Sequence, residues 1–406
     1  MSGTDERAPG VSLRPWPYPF KAMLAVCSDL DETPGFGTYF EIAKYLNSTE
    51  ETSMGPGVGL EVGNTLFFDM APREAAYWNG DEDARARLRL LMRSGHIDCI
   101  HSFGDLATTR KHAGRALEEL DRHGCRLAVW IDHAVAPTNF GPDIMRGTGD
   151  LPGAPAYHAD LTVGYGIRYV WCGRVTSVTG QDVPRRLGGI LEPRHPLASS
   201  RTLAKEAVKG LVGRLGASKY AMHAPNRLLR PARLRDGQPV IEFLRANPCW
   251  AAVDRGETAD GFAEVATPAM LARLVSRGGL MVLYTHLGKV RDPRVPFGPA
   301  TRRAFERLAD EHRAGRILVT TTRRLLDFAR EREEARWECS RRDGVLQIDV
   351  RTPGDGSGLT FAVDDPEPVR LVVNGRLCEA RPSAAEGSAG ERVIGVPWPR
   401  LEWPRP

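Results

Sequence analysis

From Lys21 to about Leu326 the chain alternates short apolar runs with amphipathic stretches, and this rhythm restricts the fold more than any other feature. The runs "AMLAVCS", "HIDCIHS", "RLAVWID", "IRYVWCG", "KYAMHA", "LMVLYTH" and "RILVTTT" read as strands. Between them, "DEDARARLRLLMRSG", "RKHAGRALEELDRHG", "TPAMLARLVSRGG" and "PATRRAFERLADEHRAG" place apolar residues at three-to-four spacing, the period of a helix. Strand and helix in succession predict an α/β fold, a parallel sheet wrapped by helices and either open or closed into a barrel.

Two stretches interrupt the rhythm. Residues 47–83 are rich in glycine and aromatics and read as a long insertion over one face; the Arg-rich residues 227–239 read as a solvated loop. After Glu334 the pattern changes to the alternation of short antiparallel strands, in "GVLQIDVRTP", "LTFAVDD", "VRLVVNGR" and "RVIGVPWP". The expected organisation is an N-terminal extension over 1–20, an α/β unit over 21–334 and a small β-sandwich-like module over 335–406.

Composition excludes several classes. A formal charge of +4 with scattered basic residues does not suggest a nucleic-acid surface. No apolar run approaches membrane-spanning length, and the polar, Pro-rich first residues lack a signal-peptide core, so a cytoplasmic protein without a membrane partner is expected. The seven cysteines are widely spaced, with no C-x-x-C pair, and receive no chemistry.

In parallel α/β folds the loops after the strand carboxyl ends form the active face, so polar residues from distant segments converge there. Four strand ends carry such residues: Asp29 and Asp31; His101 and Asp105; Asp132, His133 and Asn139; and His286. Paired carboxylates repel and resist desolvation, and a dication makes their pairing favourable. Carboxylates and imidazoles from neighbouring strands are the composition of a divalent metal site with zinc, iron, manganese or cobalt chemistry. Trp130, Asn139 and His223 are the candidate substrate contacts, with Trp78 and Trp171 as further sugar-stacking candidates against a plain core role. Ser102 and Thr285 lack a G-x-S-x-G elbow and read as hydrogen-bonding strand ends.

The order of these segments resembles the polysaccharide deacetylase superfamily, carbohydrate esterase family four, with its NodB-homology fold. The similarity spans about Lys21 to Phe328, and its motifs are short. It implies a distorted (β/α) barrel of NodB-deacetylase type. "SDLDE" matches the family's first motif with the acids spread one residue apart, implying Asp31 as metal ligand and Asp29 as general base. "HSFGD" matches the second, with His101 as ligand and Asp105 where a second histidine would stand. "YTHLG" matches the late motif and implies His286 as general acid. "WIDHAVAPTNFG" is similar to a divergent branch of the family, in which His133 serves as ligand, oxyanion contact or substrate contact. The implied cofactor is one divalent ion, zinc first, with iron, cobalt, manganese or nickel as alternatives. The implied activity is removal of an N-acetyl or similar acyl group from an amino sugar or small amide-bearing metabolite. Two other readings stand beside it, hydrolysis of another non-peptide C–N bond such as a cyclic amide or ureide, and a carbohydrate-binding protein without catalysis. The expected partner is a small-molecule or sugar substrate; a homodimer is left open.

Overall fold

The computed structural model describes residues 10–29, 32–192, 195–248, 258–365, 368–378, 383–384 and 392–405. Its largest element is a curled, mainly parallel sheet of eleven strands among the described residues. The strand Ala22–Ser28 lies parallel to Leu280–Thr285 along one edge and to Gly63–Leu66 and Ile317–Thr320 along the other. From Gly63–Leu66 the ladder steps through Ile97–His101, Val129–Ile131 and Tyr169–Trp171 to Pro239–Phe243. The last two segments run straight on as Val175–Thr176 and Arg245–Ala246, which pair with each other. Arg245–Ala246 also pairs with Leu280–Thr285, so the sheet curls back toward its starting strand.

The apolar runs are continuous because both faces of these strands are buried. Met23, Ala25 and Cys27 pack with Cys99, Val129, Ile131, Tyr169 and Val282. Leu24 and Val26 face the other way, into a cluster with Phe262, Leu271 and Phe305 of the surrounding helices. Local chemistry sets the helix ends. Asp81 caps Glu82–Arg93 by accepting from Ala84 N at 2.8 Å, and Thr267 caps Pro268–Arg277 by accepting from Met270 N at 3.2 Å.

Three expectations about the large sheet change. The stretch 47–83, read as an insertion, contains the strand Gly63–Leu66 of the large sheet. A strand of four residues carrying Gly and Asn offers no periodicity to read, and the glycine is required: a Cβ at Gly63 would lie 2.4 Å from an Asp98 carboxylate oxygen. "KYAMHA" is not a strand; Ser218–Tyr220 is a 3-10 turn, and the place in the sheet belongs to Pro239–Phe243. Residues 227–239, read as a loop, hold most of a hairpin in which Leu229–Arg233 pairs antiparallel with that strand. A charge hid it, since Glu242 interrupts the apolar run and is buried between Arg230 at 2.7 Å and Arg174 at 3.3 Å.

Among the described residues, the C-terminal part forms two four-stranded sheets. One joins Arg336–Arg342, Val345–Arg351, Val369–Val373 and Arg376–Cys378, and its Val345–Arg351 and Val369–Val373 strands are parallel where alternation alone suggested antiparallel neighbours. The other includes Val11–Leu13 beside Thr360–Val363, so the segment expected to be an extension is an edge strand of this module. Ile348, Phe361 and Leu371 share one apolar cluster with Leu325, Leu326 and Phe328 of the helix Thr322–Glu334 and with the strands of the large sheet. No helix among the described residues is long and apolar enough to cross a membrane.

Candidate functional site

At the carboxyl ends of the parallel strands lies a cleft of about 360 Å³, lined by Asp29, His101, Asp105, Asp132, His133 and His286, among others. Its volume is in the range of small-ligand pockets. Asp29 leaves the strand Ala22–Ser28 with its N–H donating to Thr285 O at 2.9 Å, and Leu287 N donates to Ser28 Oγ at 3.0 Å. These two bonds fix Asp29 and His286 on adjacent strand ends.

His101 closes Ile97–His101, and its Nδ1 stands 3.1 Å from Ile131 O. A carbonyl only accepts, so Nδ1 donates this hydrogen bond. The ring's Nε2 lies 3.6 Å from Asp29 Oδ2. The chain then turns sharply through Ser102, whose φ is +46°, and Gly104, whose φ is +101°. A Cβ at Gly104 would sit 2.2 Å from Asp69 O, so only glycine brings Asp105 back over the cleft. Ser102 Oγ accepts from Gly104 N at 3.0 Å, which occupies it in the turn.

His133 is held from both ends. Asn139 Oδ1 accepts from His133 N at 2.9 Å and Asn139 Nδ2 donates to His133 O at 2.8 Å. Its ring Nδ1 stands 2.8 Å from Asp105 Oδ1, where the carboxylate accepts. The His101 and His133 rings are 4.9 Å apart between centroids, and Phe67 packs against both at 4.5 and 5.1 Å. Asp132 is buried and anchors the His133 loop by accepting from Trp130 Nε1 and from Phe140 and Gly141 N at 2.7–2.8 Å. Burial pushes its carboxyl up to about 7 against those hydrogen bonds.

One residue escaped the sequence reading. Arg245, fully buried, donates to Asp29 Oδ2 at 2.8 Å and to Cys27 O at 3.2 Å. Its guanidinium lies 4.4 Å from the Trp171 ring and 4.3 Å from the Tyr284 ring. Burial works against its charge, but Asp29, Cys27 and Tyr284 outweigh burial and hold its pKa above the ordinary arginine value. The signal available was an arginine inside the apolar run "EFLRA". Lys289 and Glu32, paired at 3.1 Å, line the cleft with Glu74, Met70 and Met145.

The structure thus brings together Asp29, His101, Asp105, His133 and His286. Asp31 lies outside the described residues. Asp105, expected as a ligand, is engaged as the partner of the His133 ring. The three expected substrate contacts stand elsewhere. Trp130 is buried in the core, stacked on Phe140 at 4.7 Å, because its large ring is covered by the following loop. Asn139 is buried as the clamp of the His133 backbone. His223 faces Glu206, with Nδ1 3.7 Å from Oε2, and does not line the cleft. Among the described residues, no group of three His, Cys, Asp or Glu side chains is placed to hold a metal ion. The donor chemistry of His101 and His133 nevertheless suits one, since imidazole is a common metal ligand and each ring is oriented through Nδ1 by an acceptor behind it.

No family model and no curated protein matches the chain. Two solved structures resemble it weakly. One is the 4-alpha-glucanotransferase from Thermococcus litoralis, at 12% identity and a TM-score of 0.33 over 76% of this chain. The other is an endo-beta1,6-glucanase, at 7% identity and a TM-score of 0.32 over 95% of this chain and 93% of its own length. The chain covers 40% of the glucanotransferase's length.

Proposed function

We propose that the chain is a metal-dependent hydrolase of polysaccharide-deacetylase type, on a barrel of that family's kind, that removes an N-acetyl or similar acyl group from an amino sugar or small amide-bearing metabolite. The observation that carries this reading is the convergence of His101 and His133, each oriented through Nδ1, with Asp29 and His286 in one cleft, from segments as far apart as residues 29 and 286.

His101 and His133, with Asp31 as the third donor assigned by resemblance, would hold the ion. When bound, it supplies Lewis acidity toward water and toward an acyl carbonyl. Asp29 receives the proton of the attacking water. Arg245 holds Asp29 in place, because its buried guanidinium has that carboxylate as its counter-ion. His286 donates a proton to the departing amine, which amide cleavage requires because an amide anion is a poor leaving group. Asp105 orients the His133 ring, as a carboxylate behind a metal-bound imidazole does.

The test is acetate release from N-acetylated amino sugars by the full chain supplied with zinc. Loss of release on chelation and recovery on adding metal are expected. Chelator-independent release would overturn the metal, and a zinc-loaded chain that binds the sugars without releasing acetate would favour the binding-protein reading.

A further inference from the structure

The helix Pro196–Arg214 is packed inside out. Its buried positions are Ser199, Glu206 and Gly210, while Leu197, Val208, Leu211 and the capping Leu215 are 79%, 58%, 59% and 78% exposed. With 3.6 residues per turn, these four side chains fall in one stripe roughly 60° wide on the outer face. Arg201 and Lys205 border the stripe on one side and Arg214 on the other, all exposed. The helix has a single acid, Glu206, and it is buried beneath, accepting from Lys209 Nζ at 2.7 Å and Thr176 Oγ1 at 3.1 Å.

A surface helix ordinarily turns its apolar stripe to the core, and an exposed stripe with a polar rim marks a contact surface. The charges select the occupant. On this helix every exposed charged side chain is cationic and the one carboxylate is buried, so a second copy seated helix to helix would bring cations to cations. Anionic lipid headgroups supply the missing counter-charge, and the acyl boundary receives the stripe. Past the helix, Lys219 pairs with Asp143 at 3.6 Å, two residues before Met145, which lines the cleft.

We propose that this helix seats the protein on an anionic lipid surface, in the plane of the interface, with Arg201, Lys205 and Arg214 against the headgroups. The inference goes beyond the hydrolase reading and does not depend on it.

The experiment is co-sedimentation of the full chain with vesicles of phosphatidylcholine alone or mixed with phosphatidylglycerol. Binding to the mixed vesicles only, weakened by salt, is expected. Arg201→Gln with Lys205→Gln should weaken it by about thirty-fold, and Leu211→Glu with Leu215→Glu by about tenfold or more. Thermal melts check folding; should the glutamate pair melt early, the glutamine pair decides, since it leaves the stripe intact. Absence of vesicle binding, or binding unchanged in the glutamine pair, overturns the proposal. So does a dimer in sedimentation equilibrium that the glutamate pair splits, which would assign the face to a second copy.

Discussion

Asp29 serves the fold and the proposed chemistry at once. As the counter-ion of a fully buried arginine it cannot be neutralised cheaply, because removing one partner of a buried pair leaves the other charge uncompensated. Asp29→Asn should therefore lower stability by roughly 3 kcal/mol in denaturant titrations, and reduce acetate release by about 10²–10⁴-fold while zinc is retained. A variant of wild-type stability and rate would remove both assignments. Asp105 separates the roles of ligand and orienter. Asp105→Ala should weaken zinc affinity by about 10–100-fold without abolishing it, as loss of a second partner behind an imidazole does. His101→Ala should abolish retention. Equal loss in both, measured by competitive zinc titration, would make Asp105 a ligand after all.

Among the elements, the long helix Pro196–Arg214 is tied down by one carboxylate. Burial alone would raise the pKa of Glu206, but His223 and Lys209 outweigh burial and bring it down to about 2. A depressed folded pKa means stability that is present above the ordinary value near 4.5 and is lost as pH falls from there through about 2. Glu206→Gln should thus cost about 3 kcal/mol at pH 7, with the gap to wild type closing on acidification through that window. A pH-independent gap would mean that the charge is not what holds the helix. The strands with unbroken apolar runs were legible in the sequence: Ala22–Ser28 and Leu280–Thr285 lie where their residues indicate. Gly63–Leu66 was not legible, being short and polar, nor was Pro239–Phe243, where Glu242 is buried through partners distant in sequence. The cleft histidines were legible as strand-end residues, because topology alone carries such positions to one face. Arg245, Trp130 and Asn139 were not, because what each touches depends on packing across the curled sheet or on the return of a loop.

For the whole molecule, the C-terminal sheets are part of the main core. Phe361 and Ile348 lie in the same cluster as Leu325 and Phe328, and Val11–Leu13 crosses from the other end of the chain to complete one sheet. Phe361→Ala should cost about 3–5 kcal/mol. Removing residues 336–406 should give aggregated protein, since it strips the cover from the helix Thr322–Glu334. A monomeric, active truncated chain, judged by light scattering and acetate release, would show instead that the large sheet stands alone.

The account rests most on one ion being held between His101 and His133, and crystals of the full chain grown with zinc would test this most directly through anomalous differences at the zinc edge. The predicted result is a single strong peak in the cleft, about 2.0–2.1 Å from both Nε2 atoms. Crystals holding zinc elsewhere, or none in the cleft at saturating zinc, would contradict it.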